Sequence, residues 1–369
     1  MIKRLLLTGL LALSVNASED SNNYKFGGRV DLDYGYVDEG KESYSDGEVR
    51  RVRLFLKGKF LDDFKYEVEY DTVSKNGFKD LYLGYKILPN LSIKAGQIKE
   101  PFGLENLTSS KYESFMEGSL ISTFAHKRRV GVALENSYKL DSSTITTGVG
   151  YFRRSINDMI DQNEDSVTYS GRATYAYTPY KDRVYHIGFS ASQSEFDERK
   201  LKYKTDLNSH IYRGTALKSK IKGVDKTTRY QSELAMIFGS LSFEGEYAVL
   251  SASSIKDYDF DGWYAQFGYF LTGEHKNYKR KSASFKQVRI NNPFKYGEGG
   301  YGAVELALRV SGIDLTKDNL DKKREELDTT LGLNWYLTKD MRIITNFTTA
   351  QIEGKDDEYS IGSRVEFIF

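Results

Sequence analysis

The sequence predicts an all-β protein, a transmembrane antiparallel β-barrel of about sixteen strands. Three observations predict it. Apolar and polar residues alternate with period two in segment after segment. Aromatic residues and glycine are abundant while proline is scarce. The chain opens with a short apolar block behind two positive charges.

Alternation is cleanest in the last eleven residues. Tyr359, Ile361, Val365, Phe367 and Phe369 share one face, and Ser360, Gly362, Arg364 and Glu366 the other. Strand side chains point alternately to opposite faces, so such a segment needs one apolar and one wet surface. Leu327, Leu331, Leu333, Trp335 and Leu337 repeat the pattern against Asp328, Thr330, Gly332 and Asn334. Val304, Leu306, Leu308 and Val310 oppose Glu305 and Arg309, and Phe64, Tyr66, Val68 and Tyr70 oppose Lys65, Glu67, Glu69 and Asp71.

Composition agrees. The 28 Tyr, 21 Phe and 32 Gly against four Pro suit long strands with aromatic girdles. No cysteine is present, so no disulfide framework holds the fold. A mean hydropathy of −0.54 fits a barrel, whose strands are apolar on one face only. Nowhere after the opening block does the sequence hold the roughly eighteen apolar residues of a spanning helix.

The opening block reads as a cleavable leader. Lys3 and Arg4 precede the apolar run from Leu5 to Val15, too short to span a bilayer as a helix. Val15-Asn16-Ala17 offers small residues for a peptidase, which places the cut after Ala17. Residues 1–17 are therefore expected to be a signal peptide and 18–369 one barrel domain, in the outer membrane of a Gram-negative bacterium.

The expected strands are 24–37, 48–60, 63–72, 79–86, 91–98, 128–138, 143–153, 167–178, 184–194, 228–239, 241–252, 260–270, 300–312, 327–337, 341–351 and 359–369. All four prolines fall between them, as residues without a ladder donor should. Connections alternate between tight and long, matching periplasmic turns and outer loops. One connection departs: 271–299 is long yet periplasmic by parity. A large soluble β-sandwich or propeller is the alternative, but it does not call for such sustained one-sided apolar faces, and no blade motif recurs.

In a barrel the polar face is the pore wall. Alternation puts Arg29, Arg51, Arg53, Arg129 and Arg172 on it, with Lys57, Lys94, Arg309, Arg342 and Arg364. Two connecting stretches are strongly basic although the net charge is only +1. The first holds Lys200, Lys202, Lys204, Arg213, Lys218 and Lys220, and the second, between Lys276 and Lys295, has no acid. Basic ladders in a pore select anions, phosphate included. An outward-facing loop against acidic lipopolysaccharide is the other reading of the first stretch. Catalysis has little support: the four His are scattered, and neither HExxH nor GxSxG occurs.

Several stretches resemble the phosphate-selective porin O and P family. They include Phe26-Gly27-Gly28-Arg29, Arg50-Arg51, Lys99-Glu100-Pro101-Phe102-Gly103-Leu104-Glu105, Leu107-Thr108-Ser109-Ser110-Lys111, Leu271-Thr272-Gly273-Glu274 and Leu331-Gly332-Leu333-Asn334-Trp335-Tyr336. The resemblance spans nearly the whole chain after the leader. It implies a homotrimer of sixteen-stranded barrels with 99–127, 195–227 and 271–299 folded into the lumen. It also implies an anion site at Arg29, Arg50, Arg51 and Lys111 with a basic ladder in the middle loop. The ladder here is mostly Lys, a point charge without the bidentate fork of Arg, which favours a broad anion preference over strict phosphate selection. Strict alternation would turn Arg50 outward unless a bulge intervenes.

The expected function is passive diffusion of anions, phosphate or polyphosphate first. The partners are small anions, outer-membrane lipid and lipopolysaccharide. No cofactor, metal, catalytic residue or nucleic acid is expected. The alternatives are a weakly selective general porin, or a structural or adhesive barrel with a plugged lumen.

Overall fold

The computed structural model describes residues 24–369 except 76, 127, 161–165 and 318–322. The leader assigned to residues 1–17 lies outside the described residues. The strands are β1 (Tyr24–Asp38), β2 (Ser43–Phe60), β3 (Phe64–Asp71), β4 (Phe78–Leu88), β5 (Leu91–Lys99), β6 (Arg128–Lys139), β7 (Ser143–Phe152), β8 (Ser166–Tyr180) and β9 (Arg183–Lys204). They continue as β10 (Lys218–Phe238), β11 (Leu241–Ser253), β12 (Tyr258–Phe270), β13 (Asn277–Lys279), β14 (Ser284–Lys286), β15 (Ala303–Asp314), β16 (Glu325–Thr338), β17 (Met341–Ile352) and β18 (Glu358–Ile368).

All but β13 and β14 form one closed antiparallel barrel of sixteen strands, each paired with its chain neighbours and β18 returning to β1. Closure leaves no sheet edge, which a hydrocarbon environment requires. The seam is tight. Gly28 N–H donates to the Phe369 carbonyl at 2.8 Å and Phe369 N–H to the Gly28 carbonyl at 3.1 Å. A Cβ on Gly27 would meet that carbonyl at 2.4 Å and the Phe55 ring at 2.7 Å, and one on Gly28 would meet the Phe369 ring at 2.4 Å. The Gly-Gly pair is thus set by close approach.

The outer surface carries the apolar face of the alternation: Leu83, Ile187, Leu234, Phe267, Leu306 and Leu331 are all exposed. Stacked rings mark two levels, with Phe60–Phe64 and Tyr177–Tyr185 near the short turns and Phe189–Tyr230 near the other end. These are the aromatic girdles of a membrane barrel.

Three expectations change. β9 and β10 run far past the expected 194 and 228, so 195–227 is mostly a projecting hairpin and only 205–217 is a loop. Pro179 lies inside β8, at a ladder irregularity between Tyr177 and Tyr180 where no donor is needed. The inner face is not polar throughout: Ala248, Leu250, Phe260, Ile313 and Ile352 point inward into an apolar cluster with Leu120, Ile121 and Phe124.

A pore between a filled and an open half of the barrel

Three inserts enter the lumen. The β5–β6 loop, residues 100–127, carries a short helical turn at Leu104–Leu107 and a 3-10 turn at Leu120–Phe124. The β12–β15 connection, residues 271–302, enters from the turn side with the β13–β14 hairpin. The 205–217 loop bends inward at the other mouth, burying Leu207 and Tyr212. All three were expected to fold inward, the third as the whole of 195–227, of which only 205–217 does so; the second accounts for the long connection that broke the parity rule.

The inserts lie against β8–β12 and β15–β18, and wall side chains satisfy their backbone. Glu246 accepts N–H groups from Leu104 at 2.6 Å and Glu105 at 3.0 Å. Asn346 accepts from Met116 at 2.8 Å, and Ser311 from Leu120 at 2.9 Å. Arg309, Arg342 and Arg364 donate to the carbonyls of Glu117, Glu113 and Met116 at 3.1, 2.8 and 2.7 Å. Buried backbone groups need such partners, so these residues are the scaffold of the constriction.

The inner face of β2–β6 remains open. A cavity of about 550 Å³ at the loop end is lined by Arg50, Arg51, Arg53, Lys99, Arg128 and Arg129, with Asp71 and Glu117. A smaller one of about 260 Å³ shares Arg51, Arg53 and Lys99 and reaches Ser109 and Ser110.

A β-bulge resolves the orientation of Arg50. Asp31 pairs with Arg51 and the next residue, Leu32, with Val49, leaving Arg50 as the extra residue. Both arginines turn inward. Arg50 holds Glu117 of the 100–127 loop through two 3.0 Å bonds in a bidentate fork. Arg364 adds a 2.8 Å bond to the same carboxylate, and Arg51 lies 3.8 Å away. Burial would raise the Glu117 pKa, but Arg50, Arg51 and Arg364 outweigh it and hold the carboxyl well below its usual range.

The other arginines are also paired. Arg29 meets Glu366 at 3.1 Å and Ser110 at 3.0 Å, Arg51 meets Asp31 at 2.9 Å, and Arg53 meets Asp71 at 2.9 Å. Arg342 lies 3.6 Å from Glu366, and Arg364 contacts Asp33 at 2.6 Å. Arg29, Arg50, Arg51, Arg53, Arg342 and Arg364 therefore face Asp31, Asp33, Glu69, Asp71, Glu117 and Glu366, six charges against six.

Below this belt the balance is broken. The ammoniums of Lys25, Lys57 and Lys111 converge on one ring, Phe55, at 5.9, 4.7 and 5.7 Å from its centroid. Ring faces attract cations, so Phe55 gathers them. Burial and the neighbouring Arg29 push the Lys111 ammonium below its usual pKa. Farther toward the turn end, Lys59, Lys65, Lys94, Lys279 and Lys281 lie within electrostatic reach of one another. Lys57 and Lys94 have Glu67 and Glu135 at 4.0 and 2.8 Å. Among the described residues no carboxylate lies within ion-pair distance of Lys25, Lys59, Lys65, Lys111, Lys279 or Lys281.

The structure thus gathers Arg29, Arg50, Arg51, Arg53, Lys111 and Arg129 at the constriction and its mouth. It removes others expected there. Arg172 is buried behind the β13–β14 hairpin, bound to Glu233 at 2.8 Å and the Ala283 carbonyl at 2.8 Å. Arg213 sits exposed on the rim with Asp46 at 2.8 Å. Lys200, Lys202, Lys204, Lys218 and Lys220 are exposed on the outside of the β9–β10 hairpin, because their alternate neighbours Tyr203, Ser219 and Ile221 take the inner face. By sequence these lysines belong to a connection and have no assigned face; the ladder shifts on both sides of Val224, next to Gly223 at φ 65°, a residue type that marks bulges. Lys25, Lys99, Arg128 and Glu117 were not picked out as site residues. Lys99, which opens the Lys99–Glu105 stretch, and Glu117, a few residues after Lys111, had a nearby signal.

Residues 24–358 match the family described as phosphate-selective porin O and P. The chain belongs to that family. Porin O of Pseudomonas aeruginosa is 26% identical, over 97% of this chain and 91% of its own length. Among solved structures, OmpT, an outer membrane protein of Vibrio cholerae, superposes with a TM-score of 0.60 at 12% identity, over 95% of this chain and 99% of its own. An anion-selective porin from Comamonas acidovorans gives 0.59 at 12% identity, over 94% and 99%. Family and fold together make the protein an outer-membrane porin.

Proposed function

We propose that this porin passes small anions through the open half of its lumen, with phosphate or polyphosphate favoured. The observation that carries the reading is the unpaired lysine surface from Lys111 and Phe55 down to Lys279 and Lys281. It supplies the net positive potential that the compensated arginine belt lacks, and basic linings select anions. The belt contributes geometry: planar guanidinium forks beside the Ser109 and Ser110 hydroxyls suit a tetrahedral oxyanion. The family's description and the name of the Comamonas porin support the same direction.

The six-against-six balance of the belt favours a second reading, a general porin with weak selectivity. Single-channel recording separates the two. In a salt gradient the reversal potential should show anion preference, and phosphate should block chloride current. Replacing Arg51 and Lys111 together by Gln should weaken that block at every salt concentration. Cation preference in the parent overturns the anion reading, and anion preference without phosphate block leaves the general porin. As further parts of the proposal, the porin assembles as a homotrimer, a form in which OmpT has been solved, and N-terminal sequencing finds Ser18 first.

A further inference from the structure

β9 and β10 are the longest strands, 22 and 21 residues, where nine to eleven suffice to cross a membrane. The excess projects from the loop end as a blade beyond the stacked Phe189–Tyr230 pair. Lys218 and Lys220 lie twelve and ten residues past Tyr230, on the order of 20 Å above the upper girdle for a tilted strand.

Two pairs of lysines face each other directly across this blade: Lys202 opposite Lys220, and Lys204 opposite Lys218. Like charges directly opposite on one sheet face are destabilising. Lys218 feels Lys220 and Lys202 most strongly, and Lys204 adds to them. Among the described residues no acid comes within ion-pair distance of any of the four. The arrangement is nonetheless held firmly. On the inner side, Tyr203 packs edge-on against Phe124 at 5.8 Å and Phe260 at 5.7 Å, and Ile221 and Val224 are buried beside them. Thr123 donates to the Lys204 carbonyl at 3.2 Å. A repulsive quartet on a rigid support is a surface built for a polyanion.

We infer that Lys202, Lys204, Lys218 and Lys220 form an outward docking face for the phosphate- and carboxylate-bearing saccharide core of lipopolysaccharide. Three observations choose this occupant over an anion in transit or a second copy of the chain. The quartet points away from the lumen, so a permeating ion does not pass it. It stands well above the apolar band, at the level of core sugars rather than of headgroups or acyl chains. Four mutually repelling lysines on one copy also oppose apposition with the same face of another. A hollow on another part of the outer rim is mostly acidic, lined by Asp261, Asp314, Glu325 and Glu353 beside Lys355, so it offers no comparable basic face.

The full-length protein in detergent is titrated with purified lipopolysaccharide carrying only the inner core, and with lipid A alone. Each basic residue near an anionic surface contributes roughly fivefold in affinity, so replacing the four lysines by Gln should weaken core binding by nearly three orders of magnitude, about 600-fold, at low salt. The difference should shrink at high salt. The control replaces Lys139, Lys181, Lys295 and Lys339, exposed at the opposite end, and changes net charge equally. It should bind as the parent does. Equal losses in both variants reduce the effect to net charge and overturn the proposal. Equal quartet dependence with lipid A alone overturns the core as partner. Unchanged core binding with dissociation into monomers assigns the face to subunit contact instead. Unchanged core binding with reduced low-salt anion current assigns it to the pore field.

Discussion

The two halves of this lumen use the same charged residues to opposite ends. Toward β8–β17 the inner wall is buried under inserts, and its ions are anchors: Lys276 meets Glu244 at 2.5 Å with both side chains at most 5% exposed. Toward β2–β6 the wall is wet, and the pair Lys94–Glu135, at 2.8 Å, is 30% and 43% exposed. One half is a protein core made of ion pairs, the other an aqueous surface. The difference teaches that alternation alone marks a residue as inward, while the inserts decide whether inward means structural or conducting.

The sharpest way to break this comparison is to cut both pairs. Lys276→Ala leaves Glu244 buried and alone, which should cost about 3–5 kcal/mol. Lys94→Ala should cost about 0–1 kcal/mol, as exposed pairs do. Urea unfolding in lipid vesicles checks both, and equal losses would mean that the lumen is not divided.

Glu117 sits where the halves meet, and Glu117→Gln tests the boundary. It removes a carboxylate shared by three guanidiniums and leaves Arg50 without an ion-pair partner among the described residues, while Arg51 and Arg364 keep Asp31 and Asp33. Phosphate block should tighten roughly tenfold, equivalent to about 1.4 kcal/mol, with reversal potentials moving further toward anions. The pH dependence follows from the depressed carboxyl. A group whose folded pKa is lowered stabilises the fold fully above its ordinary value of 4.5 and loses that contribution as pH falls through the folded value. In the folded channel Glu117 stays ionised through pH 4.5, so selectivity in the parent should hold from neutral pH to below that value and shift toward anions only as pH falls through the lowered pKa. A parent profile changing near pH 6 would contradict the assignment.

The smallest effect is expected from Lys279→Gln with Lys281→Gln, which thins the field at the turn end without removing a contact to a carboxylate. Conductance at 0.1 M salt should fall by about twofold and recover near 1 M, where the screening length is about 3 Å. Persistence of the loss at high salt would make these lysines direct ligands.

The strands were legible because each wall strand has its own two-faced surface: Leu306 and Arg309 declare their sides without help from elsewhere. The inner apolar patch at Leu250, Phe260 and Ile313 was not, since what covers it, Leu120 to Phe124, lies more than a hundred residues away. Arg51 was read correctly by alternation, while Arg50 required a bulge that only the partner strand's register reveals. Lys202 and Lys220 were correctly seen as a concentrated charge but could not be given a side, because the blade's inner face is defined by Phe124 and Phe260 beneath it. Lys111 entered through resemblance, and its companions Lys25 and Lys57 emerge only when β1 and β2 pair.

The two large inserts also touch. Leu104 is buried with Tyr278, Ala283 and Phe285, and the Phe285 N–H donates to the Thr108 hydroxyl at 3.3 Å. One insert comes from each side of the membrane, so together they form a strut running the length of the tube. Thr108 is next to Ser109 and Ser110, the latter bonded to Arg29 at the narrows. A load placed on the periplasmic hairpin is therefore delivered to the narrowest part of the channel through packed side chains and not through the barrel wall. The aperture is in mechanical contact with both sides of the outer membrane at once.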